Sequence, residues 1–182
     1  MACSITLNGL AQDCESNVGG VKNVYLAQYA EGVATLASSA STMVTVAVSG
    51  TTPAYAFKRY YFRKGAASMT STLNVDAANG TNFISTELAL TFAKQDTTKR
   101  IEMSALVLGD LMAVVEDANG KMWFLAKDEP LVATAGGAAT GAAKTDGNNY
   151  TLTLTDESET FPYELDAASV TAFKALEAAS AT

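Results

Sequence analysis

The sequence predicts a mainly β fold, an antiparallel β-sandwich or barrel that carries one internal helix and a C-terminal helix. Three observations carry that prediction. Thr81 to Lys94 alternates apolar with polar residues almost throughout, the period of two that marks a half-buried strand. Two Asn-Gly pairs, Asn79-Gly80 and Asn119-Gly120, each stand between strand-like runs, the strongest short-range hairpin signal. Helical periodicity is confined to residues 96–109 and to a C-terminal segment from about Asp166 to Ala178. Strands are therefore not interleaved with several helices, as a parallel α/β sheet requires.

Taken in order, the first twenty residues are rich in Ser, Asn and Gly and read as an N-terminal arm (1–20) ahead of a single β-rich domain (21–182). Val21 to Tyr29 alternates with both faces covered and reads as the first strand. Thr42 to Val48 is a β-branched strand that stops at the turn signal Ser49-Gly50-Thr51-Thr52-Pro53. Tyr55 to Lys64 fits strand or loop, and Ser68 to Asp76 reads as strand. In the long strand that follows, Ile84, Thr86, Leu88, Leu90 and Phe92 share one face, and Ser85, Glu87, Ala89 and Thr91 the other. A strand polar on one side suits a sheet that faces water or an aqueous lumen.

Asp96 or a neighbouring Thr caps the internal helix, for which Ile101, Ala105 and Leu108 form the expected inner stripe, and Gly109 ends it. Leu111–Glu116 and Lys121–Ala126 form a hairpin in which Trp123 is the expected core anchor. Residues 130–149, rich in Gly and Ala, read as a mobile loop that orders against a neighbouring subunit. Tyr150 to Thr155 alternates Leu with Thr as a strand and leads into an acidic turn at Asp156, Glu157 and Glu159. Val170, Phe173 and Leu176 mark the inner face of the last helix.

At 182 residues the chain suits one domain able to bury its own core, with no need of a metal or disulfide staple. Its mean hydropathy of +0.12 is too apolar for a disordered chain. The net charge of −7 argues against tight nucleic-acid binding, which needs Lys and Arg to displace counterions from phosphates. Two weak basic clusters, Lys58, Arg59, Arg63, Lys64 and Lys94, Lys99, Arg100, read as solvated strand edges and a helix start. No charged-then-apolar leader stands at the start, and no run reaches the ~18–20 apolar residues of a membrane span. A protein kept in the cytoplasm or released in a soluble particle is expected.

Catalytic chemistry has few candidates. The chain has no histidine, so the commonest general base and metal ligand is missing. Cys3 and Cys14 have no His to activate them, and two cysteines make no disulfide framework. The Gly-rich stretch before Lys144 lacks the contiguous Gly-Lys-Ser/Thr of a phosphate loop. Asp110, Glu116 and Asp117 match no calcium-loop spacing and read as turn-forming, solvated residues. Asp156, Glu157 and Glu159 read as a solvated turn, with weak cation binding as the alternative. No cofactor, metal or catalytic residue is expected, and the protein is expected not to be an enzyme.

Gly19-Gly20-Val21-Lys22-Asn23-Val24-Tyr25-Leu26, the long central strand with its following helix, the hairpin from Val114 to Leu125 and the loop leading to Tyr150-Thr151-Leu152-Thr153-Leu154 together suggest a family. Over most of residues 17–165 the chain resembles the tail tube (major tail) proteins of long-tailed bacteriophages, those of phages infecting Bacteroidetes included. The resemblance implies a virion structural protein, assembled in the host cytoplasm into the tail. Six copies would form a ring whose strands pair across subunits into a continuous barrel, and rings would stack into a tube.

Its partners would be copies of itself and other tail proteins, with DNA passing through the lumen unbound and no membrane involved. On this reading Ser68, Thr70, Thr72, Asn74, Ser85, Glu87, Ala89 and Thr91 line the lumen. Leu73, Val75, Ile84, Leu88, Leu90 and Phe92 face the subunit core. Tyr55, Arg59, Tyr60, Tyr61 and Arg63 of the 55–66 segment and Lys144 of the 130–149 loop make inter-subunit contacts, as does the arm. One rival reading is a head–tail connector or terminator, or a capsid decoration protein. Another is a carbohydrate- or protein-binding β-sandwich, for which Tyr55, Tyr60 and Tyr61 are the only aromatic platform on offer.

Overall fold

A computed structural model describes residue 9 and residues 17–36 and 43–179; Cys3, Cys14 and most of the arm lie outside the described residues. In chain order the elements are β1 (Val21–Gln28), β2 (Ala34–Leu36), β3 (Met43–Val46), β4 (Ser49–Thr51), β5 (Ala54–Ala56), β6 (Lys58–Tyr61), β7 (Ala67–Asp76) and β8 (Thr81–Ala93). They continue with α1 (Thr97–Leu108), β9 (Leu111–Asp117), β10 (Met122–Leu125), β11 (Val132–Ala139), β12 (Asn149–Ser158), β13 (Tyr163–Leu165) and α2 (Ala167–Ala179). The fold is a β-sandwich with one internal and one C-terminal helix, as the periodicities predict, and its sheets stay open rather than closing into a barrel.

A seven-stranded sheet runs β2-β3-β13-β10-β9-β1-β6 and a four-stranded sheet runs β11-β12-β8-β7, with β4 and β5 as a separate two-stranded ribbon. Pairing is antiparallel except between β13 and β3, which run parallel. The two facing sheets share one core. Leu152 and Leu154 of β12 stand opposite Leu90 and Leu88 of β8, and all four join Val24, Leu26 and Val115 in a single buried cluster. Burying a leucine side chain is worth roughly 1.5–3 kcal/mol, so this layer is where the sandwich gains most of its cohesion.

β1 and β9 are buried on both faces, which neither a barrel wall nor an edge would explain. The second cover is α2. Its Phe173, fully buried, meets Tyr25 of β1 edge-on at 5.2 Å and Phe57 at 5.0 Å. Asp166 caps the helix by accepting from the Ser169 backbone N–H at 2.9 Å, and its other oxygen accepts from Thr45 Oγ1 of β3 at 2.8 Å. The same face holds a buried charge network. Glu116 Oε2 accepts from Asn23 Nδ2 at 2.6 Å, Asn23 Oδ1 accepts from Arg59 Nε at 3.1 Å, and Arg59 pairs with Glu177 of α2 at 3.1 Å. Burial, with Glu116 and Glu177 close by, pushes the Tyr25 hydroxyl up to about 12.

Several expectations need correction. Glu116 is not a solvated turn residue: it is fully buried, with Lys22 at 3.3 Å on its second oxygen. The internal helix does start at the Asp96 cap, whose carboxylate accepts from the Lys99 N–H, but its inner face is Met103 and Leu106. Ile101, Ala105 and Leu108 point outward, Leu108 being 87% exposed, because the helix lies beside β11 with Met103 and Leu106 turned to the core.

Trp123 is half-buried and donates to Asp117 Oδ2 at 3.1 Å, while its neighbours Met122 and Phe124 fill the core. The 130–149 segment is a loop only over 140–148, since Val132–Ala139 is strand. Glycine suits that strand because a Cβ at Gly136 would stand 3.0 Å from the Thr151 carbonyl oxygen. Half of the 55–66 segment is strand, in β5 and β6. The strand expected over Tyr150–Thr155 runs on to Ser158, so Asp156 and Glu157 belong to β12 and not to a turn. At both hairpins only the glycine of the Asn-Gly pair takes a positive φ, 68° at Gly80 and 83° at Gly120.

Candidate functional site

The four-stranded sheet gathers most of the residues singled out from the sequence. In the β7–β8 register Ser68 faces Ala89, Thr70 faces Glu87, Thr72 faces Ser85 and Asn74 faces Phe83. On the other side of β8, Thr151 pairs with Thr91, Thr153 with Ala89 and Thr155 with Glu87. Cross-strand partners share a face, so these side chains form one outer layer, mostly hydroxyls and methyls, with the Glu87 carboxylate, the Asn74 amide and the Phe83 ring among them. Ser68, Thr70, Thr72 and Glu87 are exposed; Asn74, Ser85, Ala89 and Thr91 are half-buried. β11 extends the layer with Ala135 opposite Thr153 and Gly137 opposite Thr151, and Thr134 Oγ1 lies 2.8 Å from Thr155 Oγ1.

The opposite face is apolar only in part. Ile84, Leu88 and Leu90 are buried and Phe92 is half-buried, as expected. Leu73 and Val75 are not in the core: they are 55% and 66% exposed. Near the turn that joins β7 to β8, nothing within the described residues fully covers these two side chains. Asp76 fastens that hairpin by accepting from the N–H groups of Ala78 and Asn79, which holds its carboxyl below the usual aspartate range.

Charge on this sheet is one-sided. β7, β8, β11 and β12 contain Asp76, Glu87, Asp156 and Glu157 but no Lys or Arg, although the chain has 12 of them. Both end strands also lack a second strand partner among the described residues. Among the described residues, β7 pairs only with β8 and β11 only with β12, leaving a ten-residue and an eight-residue backbone edge unpaired. Edges of that length invite pairing with another chain unless they are covered.

The residues expected at subunit contacts are dispersed. Arg59 is turned into its own fold through Asn23 and Glu177, with 14% of its side chain exposed. Tyr60 hydrogen-bonds Glu102 of α1, and burial followed by that bond raises its hydroxyl pKa. Tyr55 is half-buried beside Phe57. Tyr61, 70% exposed, and Arg63 and Lys144, both exposed, stand at the surface. Tyr61 and Arg63 line a cleft of about 570 Å³ with Thr91 and Asn148.

Sequence reasoning missed the contribution of β11, whose Ala and Gly residues carry no strand signal, and the burial of Asp156. The Leu/Thr alternation of β12 did announce Thr151, Thr153 and Thr155. Among the described residues no three His, Cys, Asp or Glu side chains are grouped to hold a metal ion, and no helix is long and apolar enough to cross a membrane. Set against protein-family models, curated proteins and solved structures, the chain finds no match.

Proposed function

We propose that the chain is a structural subunit that assembles with copies of itself into stacked, hexameric rings, forming a tube whose lumen conducts DNA, as in the tail of a long-tailed bacteriophage. The observation that carries this reading is the four-stranded sheet, whose outer face is small, polar or acidic apart from Phe83 and Val132 and whose two long edges are unpaired among the described residues. Edge-to-edge pairing of β7 with the β11 of a neighbour would join such sheets into a barrel and remove both edges. Strands free of Lys and Arg give passing phosphates no cation on which to release counterions. The exposed Leu73 and Val75 fit the same assembly, since a neighbour paired along β7 would cover them.

The rival binding-module reading draws less support. Of its aromatic platform only Tyr61 is exposed, with Tyr60 engaged by Glu102 and Tyr55 half-buried. A connector or terminator would form a single ring, whereas a tube subunit propagates. Negative-stain electron microscopy across a concentration series, beside the mass in solution, separates these outcomes. Rings that stack into tubes with a central hole are expected. A strict monomer at high concentration would overturn the reading, and single rings that never stack would favour the connector.

A further inference from the structure

The strand registers give the four-stranded sheet two ends, and these differ in charge. Ala139, Asn149 and Ala93 stand level at one end, where β7 begins; Val132, Ser158 and Asp76 lie toward the other. At the first end three segments are tied together. The Lys94 N–H donates to the Asn148 carbonyl at 2.7 Å, the Thr91 N–H donates to the Ala66 carbonyl at 2.8 Å, and Arg63, Lys99 and Asn148 line one cleft. Arg63, Lys64, Lys94, Arg100 and Lys144 are gathered there, all exposed. None of them makes an ion pair among the described residues, whereas every other Lys and Arg except Lys58 does. The carboxylates at this end, Asp96 and Asp146, are fewer and are engaged by the N–H groups of Lys99, Ala142 and Ala143.

The other end is acidic. Asp128, Glu129, Glu157 and Glu159 line a cleft of about 570 Å³, and Asp76 closes β7 at the same end of the sheet. All five carboxylates are exposed. The single cation in that cleft, Lys127, is already held by Asp128 Oδ1 at 2.7 Å. α1 runs between the two ends with matching polarity. Its N-terminus, with the partial positive charge of the helix dipole, lies at the basic end, and its C-terminus lies beside Leu111 and Leu131 toward the acidic one. Arg100 stands in its first turn, where that dipole disfavours a cation. A surface that serves solubility alone intersperses both signs, so charge sorted from end to end calls for a partner.

We infer that these ends are the two halves of a head-to-tail contact between copies of this chain, the basic end of one docking on the acidic end of the next. The inference rests on the tube reading, whose stacking faces it names. In a barrel closed through the β7 and β11 edges, the strand ends form the two rims, so the sorted charges face along the tube axis. A contact between two different faces of the same molecule leaves one of each free and therefore propagates. Complementary charge also sets direction: two basic rims, or two acidic ones, repel, so the tube grows with one polarity. A nucleic acid would suit the basic end alone and would leave the acidic end without a role.

The full chain is followed by electron microscopy and sedimentation as sodium chloride rises from about 0.1 M to about 1 M, which shortens the screening length from about 10 Å to about 3 Å. Tubes are expected to separate into rings, because the backbone pairing within a ring is not a contact between charges. Two variants test the faces themselves. Arg63→Glu/Lys64→Glu/Lys144→Glu puts acids in place of three cations at the basic end, and Glu129→Lys/Glu157→Lys/Glu159→Lys does the converse at the acidic end. All six side chains are exposed, so each protein should fold and form rings that do not stack. Mixed in equal amounts, the two should recover tubes, since each altered rim then meets its opposite. Variants that stack like the native chain, or a mixture that stays as rings, would overturn the inference and leave the ring intact. If a variant forms no rings, the salt series decides, and native tubes unaffected by salt would count against charged stacking. Absence of rings from the native chain at every salt would remove the tube reading and this inference with it.

Discussion

Single residues in this protein are decided by which side of the four-stranded sheet they occupy. Leu88 and Thr91 are three positions apart on one strand, yet Leu88 is completely buried and Thr91 half-exposed on the polar face. An aspartate at position 88 would place an unpaired charge between the sheets, a cost of several kcal/mol against a typical total stability of about 5–15 kcal/mol. Leu88→Asp is therefore expected to abolish folding, and Thr91→Asp to change stability by about 1 kcal/mol or less. Soluble yield and urea denaturation of the two variants check this; equal effects would mean that the register is wrong. Thr86 shows that the rule is one of position and not of polarity. It is buried on the core face, where its hydroxyl meets Ser71 Oγ at 2.9 Å.

At the scale of elements, α2 shows how a helix is tied down by its first turn. Asp166 accepts from Ser169 and from Thr45, and chiefly the Ser169 hydrogen bond holds its carboxyl below the ordinary aspartate value of 3.8. A carboxylate whose pKa is depressed by folding contributes stability that is present above its unfolded value and is lost as the pH falls through its folded value. Asp166→Ala is expected to cost about 1 kcal/mol at neutral pH. The gap between variant and wild type should shrink as the pH is lowered below the ordinary aspartate range. Urea melts at a series of pH values measure it, and a gap that stays constant into acid would show that the carboxylate charge plays no part. α1 behaves differently: it turns Met103 and Leu106 inward, lies beside β11 and leaves Ile101 and Leu108 in solvent.

At the scale of the whole molecule, one sheet is finished and the other is not. The seven-stranded sheet is covered on both faces around β1 and β9 and holds the buried network of Glu116, Asn23, Arg59 and Glu177. Among the described residues the four-stranded sheet has a wet face, two unpaired edges and the exposed Leu73 and Val75. If assembly runs through the β7 edge, replacing both of those residues by Lys should leave the monomer folded, because neither is buried in it. The same change should block rings and tubes, because the interface would then have to bury two ammonium groups. Sedimentation and electron microscopy of the Leu73→Lys/Val75→Lys protein test this, and tubes of native appearance would place the interface elsewhere.

The sequence by itself determined the strands whose side chains alternate, the two hairpin turns, the Asp96 and Asp166 helix starts and the composition of the wet face. Each of those is a local property, set by a period of two, by a glycine at positive φ or by a carboxylate next to free N–H groups. Only the tertiary structure decided what those properties could not reach. β11 is a strand because β12 offers it a ladder and because its glycines let the backbones approach, although Ala and Gly have little strand propensity of their own. The phase of α1 was set by what lies beneath it, since Ile101, Ala105 and Leu108 and the pair Met103 and Leu106 are equally regular stripes on a helix. Asp156 and Glu116 read as surface carboxylates in any local window, and both are interior because strands distant in sequence close over them. Burial is a sum over neighbours drawn from the whole chain, and that sum exists only once the chain has folded.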